Sequence, residues 1–279
     1  MLLKAQFLSR LFAIAAAVSS VAVTLQGSAL TVDAPLVGDR WNYPFNGTPG
    51  TKDIAGLFDS AVPGFGFNYR DGEAVIQFAP QLPQEYSGTS FTVSAARLEV
   101  WNVGNAQWDP TTTTLDLFAA GFGPAYKELA SDASAGTVWT ETSPYIGGGA
   151  APLAVARDPF PRDKADNSHA EENPSATPWA LASHPDYTSA TQTTAPFKCT
   201  FDLPVNDAAV QQELREDLLR GVSTWVLSTN YLASGQGDTA YPAIYLHGAA
   251  APPAPAAIPV LHLEIAPANA AVADWSMYY

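Results

Sequence analysis

From Leu30 onward, apolar and polar positions alternate in short runs separated by clusters of Gly, Pro, Asn, Asp and Ser, the pattern of half-buried strands joined by turns. Ala74, Ile76 and Phe78 make one face of the first clear strand. The longest run, Thr89 to Val103, sets Thr92, Ser94, Ala96, Leu98 and Val100 against Phe91, Val93, Ala95, Arg97, Glu99 and Trp101, with Arg97 and Glu99 marking a wetter face toward its end. Leu115 with Leu117, then Val138 to Thr140, then Phe197, Cys199 and Phe201 continue the series. Thr224 to Leu232, Tyr241 to His247 and Val260 to Ile265 complete it, giving roughly eight to ten strands.

One stretch has the other period. Val210, Leu214, Leu218 and Val222 recur every four residues, which predicts a helix over Ala208 to Arg220 with Asn206 or Asp207 capping its start and Gly221 ending it. Its remaining face, Gln211, Gln212, Glu213, Arg215, Glu216 and Asp217, reads as solvated surface. These elements predict an all-β fold: a jelly-roll-like antiparallel β-sandwich with one short α-helix, spanning residues 30–266 as a single domain. A long loop, 147–196, interrupts it without either periodicity, Gly248 to Pro259 reads as an extended crossover, and residues 267–279 form a tail.

Residues 1–29 read differently. Lys4 and Arg10 precede an apolar run from Leu11 to Val23, and Gly27 and Ala29 supply small residues at a signal peptidase's spacing, so a cleaved export signal is expected. The run would span about 20 Å as a helix, short of the roughly 30 Å hydrocarbon core. No later run is long enough to cross. The expected location is therefore outside the cell, free or at its surface.

Composition narrows the partners. The 279 residues carry a formal net charge of -14, and Lys and Arg nowhere gather into a patch, which argues against nucleic acid. A 47% hydrophobic fraction with 14% charged residues is enough for a large core. The single Cys199 excludes an intrachain disulfide, and its place between Phe197 and Phe201 reads as a buried, unreactive thiol. The histidines, His169, His184, His247 and His262, sit in no metal-binding frame, and those in strands read as hydrogen-bonded structural residues. No Gly-x-Ser-x-Gly elbow occurs, and the glycine-rich runs precede no helix. Glu73, Glu85, Glu99 and Glu141 read as surface carboxylates rather than acid catalysts, so nothing anchors a catalytic assignment.

Two constellations carry candidate chemistry. The loop residues Asp163, Asp166, Asn167, Glu171 and Glu172 offer the flexible oxygens that Ca²⁺ takes, although no EF-hand frame is present and a solvated acidic loop is the favoured alternative. The seven Trp, eleven Tyr and thirteen Phe suggest stacking on sugar rings. Trp108, in a polar turn, and Trp179, in the long loop, are the carbohydrate-binding candidates. Core packing competes for both and is assigned to Trp101, Trp139 and Trp225, which lie inside strands.

Three features also carry a family likeness. The run Ser94-Ala95-Ala96-Arg97-Leu98-Glu99-Val100-Trp101, the later Val138-Trp139-Thr140-Glu141, and the order helix, Gly221, strand, Tyr241-Pro242-Ala243-Ile244 resemble the DNRLRE-type extracellular domains of bacteria. Asp39 to Asn46, Arg157 to Asp163 and Ala176 to Trp179 are similar to blocks in secreted proteins of PEP-CTERM-bearing bacteria. The likeness spans most of Asp39 to Ile265, without the hexapeptide that names the domain. It implies an extracellular jelly roll, with carbohydrate binding in some relatives and no established catalysis. The leading expectation is a secreted, non-catalytic module contacting extracellular polysaccharide or matrix. The alternative is a polysaccharide-degrading lyase or hydrolase on the same scaffold.

Overall fold

The computed structural model describes residues 29–42, 52–58, 72–88, 90–104, 108–119, 178–188, 195–231, 233, 240–247 and 252–268. Among them are eleven strands and one α-helix. The strands are β1 (Leu30–Ala34), β2 (Leu36–Asn42), β3 (Ile54–Gly56), β4 (Glu73–Phe78), β5 (Phe91–Asn102), β6 (Leu115–Ala119), β7 (Ala180–Leu181), β8 (Phe197–Asp202), β9 (Ser223–Thr229), β10 (Ala243–Tyr245) and β11 (Val260–Pro267). The helix α1 is Ala208–Arg220. They form two antiparallel sheets: β1-β11-β5-β10-β3 with β8 also on β5, and β2-β4-β9-β6-β7. Successive strands cross repeatedly between the sheets, so the all-β sandwich with one helix expected from the periodicity is the fold observed.

The core is the seam between the two inner faces. Leu98, Val100, Leu261, Leu263 and Ile265 of the six-stranded sheet meet Ile76, Phe78, Leu117, Trp225 and Leu227 of the other, each at most 1% exposed. Fully burying such a side chain contributes about 1.5–3 kcal/mol by transfer alone, which is why apolar residues recur at the inward positions of these strands.

β5 breaks its own alternation. Phe91 and Val93 are buried, Ser94 and Ala95 are both exposed, and Ala96, Leu98, Val100 and Asn102 are buried again. Glu264 pairs with Ala95 but Ile265 pairs with Val93, so Ser94 is an extra residue opposite the junction. This β-bulge flips the phase of every later side chain. It corrects the single continuous phase read along Thr89 to Val103, and places Phe91 and Val93 on the core side with Leu98 rather than opposite it.

β5 also outruns β8, which pairs only with Arg97 to Asn102. Gln211 of α1 fills the gap: its Oε1 accepts from Val93 N at 3.3 Å, and its Nε2 donates to the carbonyls of Val93 at 2.5 Å and Val205 at 2.8 Å. Gln211 therefore stands in for a missing strand, and Asp217 is only 2% exposed, so both depart from the solvated face expected of the helix. The helix ends are as expected. Asp207 Oδ1 accepts from Ala209 N at 2.8 Å and Val210 N at 3.2 Å, and Gly221 closes the helix at φ 70°, a left-handed conformation open to glycine without steric cost.

The long loop 147–196 contains structure within its described residues. Trp179 N donates to Leu117 O, Ala182 N to Leu115 O, and then Ser183 exchanges both backbone hydrogen bonds with Thr200 of β8. This segment ties the edge of one sheet to the edge of the other. Strand β11 ends at Pro267, one residue beyond the expected domain limit. No helix among the described residues is long and apolar enough to cross a membrane.

Candidate functional site

The two sheets differ on their outer faces. On the five-stranded sheet, the register puts Arg40, Glu73, Val75, Gln77, Thr224, Val226, Asp116 and Phe118 on the side away from the core. All of these are buried, none more than 5% exposed. Glu73, expected at the surface, is fully buried because this sheet is covered on both faces. The six-stranded sheet keeps its outer face open over β1, β11 and the Arg97 end of β5, and there a ligand has access.

A row of charge crosses that face. The register places Asp33 of β1, His262 of β11, Arg97 of β5 and Asp202 of β8 directly opposite one another across four strands. Cross-strand neighbours on one face have Cβ atoms about 4.5–5.5 Å apart, so this register forces the side chains into contact. Arg97 Nε donates to Asp202 Oδ1 at 2.6 Å, and His262 Nδ1 lies 2.6 Å from Asp33 Oδ1. A carboxylate oxygen accepts here when the ring carries its proton on Nδ1, and Nε2 lies 3.9 Å from Glu99 Oε2. Glu99 in turn takes the Lys198 ammonium at 3.1 Å.

Over this row lies a cavity of ≈ 360 Å³. Arg97, Glu99, Asp202, His262 and Glu264 supply its polar wall, and the exposed Ala95 at the bulge supplies part of its apolar floor. The bulge thus serves the site as well as the fold: it turns Arg97 and Glu99 outward while Leu98 and Val100 stay inside. The Asp202 hydrogen bond and charge raise the Arg97 guanidinium further above its ordinary value, so it stays cationic throughout.

Trp101 belongs to the same face. It follows Glu99 by two residues, pairs with Lys198 across the ladder, and is half-buried, whereas its neighbours Val100 and Asn102 are buried. Its assignment to the core is therefore corrected: Trp101 lies on the outer face of β5, four residues and about 13 Å of strand rise from Arg97, outside the residues lining the cavity.

Trp108 takes the opposite course. It does sit at a turn, where Asp109 Oδ1 accepts from Thr111 N at 2.9 Å and Thr111 Oγ1 at 2.7 Å. These bonds, chiefly that of the Thr111 hydroxyl, hold the Asp109 carboxyl below its usual range. The indole itself is 0% exposed. It stacks on Phe197 at 5.6 Å, meets His184 edge-on at 5.5 Å, and donates through Nε1 to Thr113 Oγ1 at 2.9 Å. Its ring faces are already occupied, so the exposed stacking platform expected at Trp108 is not present. Trp179 is half-buried and packs edge-on against Trp225 at 5.8 Å.

Other expectations fall as follows. Asp163, Asp166, Asn167, Glu171 and Glu172, the Ca²⁺ candidates, lie outside the described residues, as do Trp139, Glu141 and His169. Cys199 is fully buried and its thiol is pushed up by burial, in line with an unreactive core residue. His184 is pushed down to about 4 by burial, so it packs as a neutral ring. Among the described residues no group of three or more His, Cys, Asp or Glu is placed to hold a metal ion.

Comparison with protein-family models, with curated proteins and with solved structures returns no match.

Proposed function

We propose that this chain is an extracellular β-sandwich module of DNRLRE type that binds polysaccharide on the outer face of its six-stranded sheet, without catalysis. The observation that carries the reading is the Asp33–His262–Arg97–Asp202 row at a 360 Å³ cavity, with Trp101 farther along the same face of β5. A sugar hydroxyl both donates and accepts, and this row alternates acceptor-only carboxylates with a donor-only guanidinium and an imidazole. An indole supplies the flat apolar surface that the C–H face of a pyranose requires. The sites first expected at Trp108 and Trp179 give way to Trp101 in this reading.

The test is affinity electrophoresis through gels cast with a panel of polysaccharides, supported by a glycan array. Retardation of the wild type that Trp101→Ala or Arg97→Ala abolishes supports the reading, and uniform non-binding ends it. Recovery of the processed chain from the culture medium, rather than from the cytosol, tests the extracellular part.

A second reading, a polysaccharide lyase or hydrolase, draws on one observation: the Asp33–His262 pair opens into the cavity with Glu99 beside it, a set able to hold and move a proton. It predicts new reducing ends or unsaturated products, lost in His262→Gln. Their absence across the panel removes it.

A further inference from the structure

We propose that the groove prefers a glycan bearing free amino groups, an oligomer of a 2-amino-2-deoxy sugar, over neutral or uronic-acid chains; this rests on the carbohydrate-binding reading above. Three carboxylates, Glu99, Asp202 and Glu264, line the groove with one permanent cation, Arg97, and with His262, and just outside the lining Asp33 pairs with His262 and Lys198 with Glu99, which brings the set to four carboxylates and two permanent cations. Four against two leaves an excess of two negative charges when His262 is neutral. Each cation already has a carboxylate beside it, Arg97 with Asp202 at 2.6 Å and Lys198 with Glu99 at 3.1 Å. Asp33 is matched only by an imidazole, and Glu264 is exposed and forms no ion pair among the described residues.

This arrangement discriminates by chemistry. An ammonium has three donors and no acceptor, so it is completed by acceptors, which Glu264 on the cavity wall and Asp33, its diagonal neighbour across the β1–β11 ladder, supply. A uronate carboxylate is acceptor-only. To reach a cation it must share Arg97 with Asp202 or Lys198 with Glu99, carboxylate beside carboxylate, on a chain whose formal net charge is already -14. For an oligomer long enough to extend along β5, the half-buried Trp101 on the same face adds a π surface that attracts cations and repels anions.

Isothermal titration of the full chain with a glucosamine tetramer, its N-acetylated counterpart and a galacturonate tetramer separates charge from shape. The runs are made near pH 6 in about 10 mM and about 1 M salt, where the Debye lengths are roughly 30 Å and 3 Å. The expected result is that the glucosamine oligomer binds at least about tenfold tighter than the acetylated one at low salt, with the gap closing at high salt. Glu264→Gln and Asp33→Asn should narrow that gap. Asp53→Asn removes the same charge at the other end of the sheet, before β3, and should leave it unchanged.

Tighter or equal binding of the acetylated or galacturonate oligomer, still dependent on Trp101, overturns the amino-sugar preference while leaving carbohydrate binding in place. An Asp53→Asn effect as large as that of Glu264→Gln overturns the groove as its source. Failure of all three oligomers to bind removes the carbohydrate reading itself.

Discussion

Asp217 offers a perturbation whose size follows from the structure. Its carboxyl is 2% exposed on the packed side of α1, where Oδ2 accepts from Ser223 Oγ at 2.5 Å, and Ser223 Oγ accepts in turn from Trp225 Nε1 at 2.7 Å. Burial pushes this carboxyl well above the ordinary 3.8, the Glu213 charge adds to the shift, and the Ser223 hydrogen bond opposes it. The folded chain therefore keeps a proton that the unfolded chain releases near pH 4. Stability is fully present below that pH and falls as pH rises, by about 1.4 kcal/mol per unit for one proton, until the buried carboxyl itself ionises. Asp217→Asn preserves the shape and the acceptor for Ser223 but removes the ionisation. Urea denaturation of both proteins at half-unit steps from about pH 4.5 to 8 reads the difference. The variant should gain on the wild type at about 1.4 kcal/mol per unit from the acid end, then level off. A difference that stays constant with pH would refute the buried-proton argument.

Trp108→Ala should cost about 3–5 kcal/mol, the loss expected for a large aromatic in a packed core, whereas Trp101→Ala should lower stability far less and act on ligand binding; paired denaturation curves check both. Asp207→Ala removes the acceptor for two helix N–H groups and should cost about 1 kcal/mol by the same assay. His184, pushed down to about 4, binds fewer protons folded than unfolded between pH 6.5 and about 4, so its contribution is complete above 6.5 and drains away on acidification. A His184→Phe variant should flatten that acid loss; if its melting temperature falls with pH as steeply as the wild type's over this window, the buried neutral ring is not its cause.

The helix is legible in the sequence because three independent signals agree: a four-residue apolar period, Asp207 at its start and Gly221 at its end. The strands that build the core are legible wherever one face is buried and length allows a period to show, as in Phe197, Cys199 and Phe201. β3 and β7 have three and two residues, too few to display any period, so the stitch from Trp179 to Ser183 is invisible until Leu117 and Thr200 are placed beside it. The bulge at Ser94 is hidden for a different reason. An inserted residue changes no composition; only the partner strand reveals that two exposed positions follow one another. The site depends on that hidden step.

The exchange of roles between Trp101 and Trp108 has the same origin. Polar neighbours suggest exposure for Trp108, but Phe197 and His184, more than seventy positions away in the chain, cover its ring. A strand context suggests burial for Trp101, but a sheet with one wet face leaves half its strand positions outside. Equally, nothing local distinguishes Glu73 from Glu99. One lies on a sheet covered on both sides and the other on a sheet that is open, and only the pairing of strands far apart in sequence separates them. His262 was legible as a hydrogen-bonded strand histidine, but its partner Asp33 lies more than two hundred residues earlier, so its place in a charged row was not.

The most direct test of the account is the migration of wild type and Trp101→Ala through native gels cast with and without each polysaccharide of the panel. The account predicts that at least one polysaccharide slows the wild type while the folded Trp101→Ala runs as it does in an empty gel. Equal retardation of the two proteins, or none for either in any gel, would contradict a sugar-binding face on the six-stranded sheet.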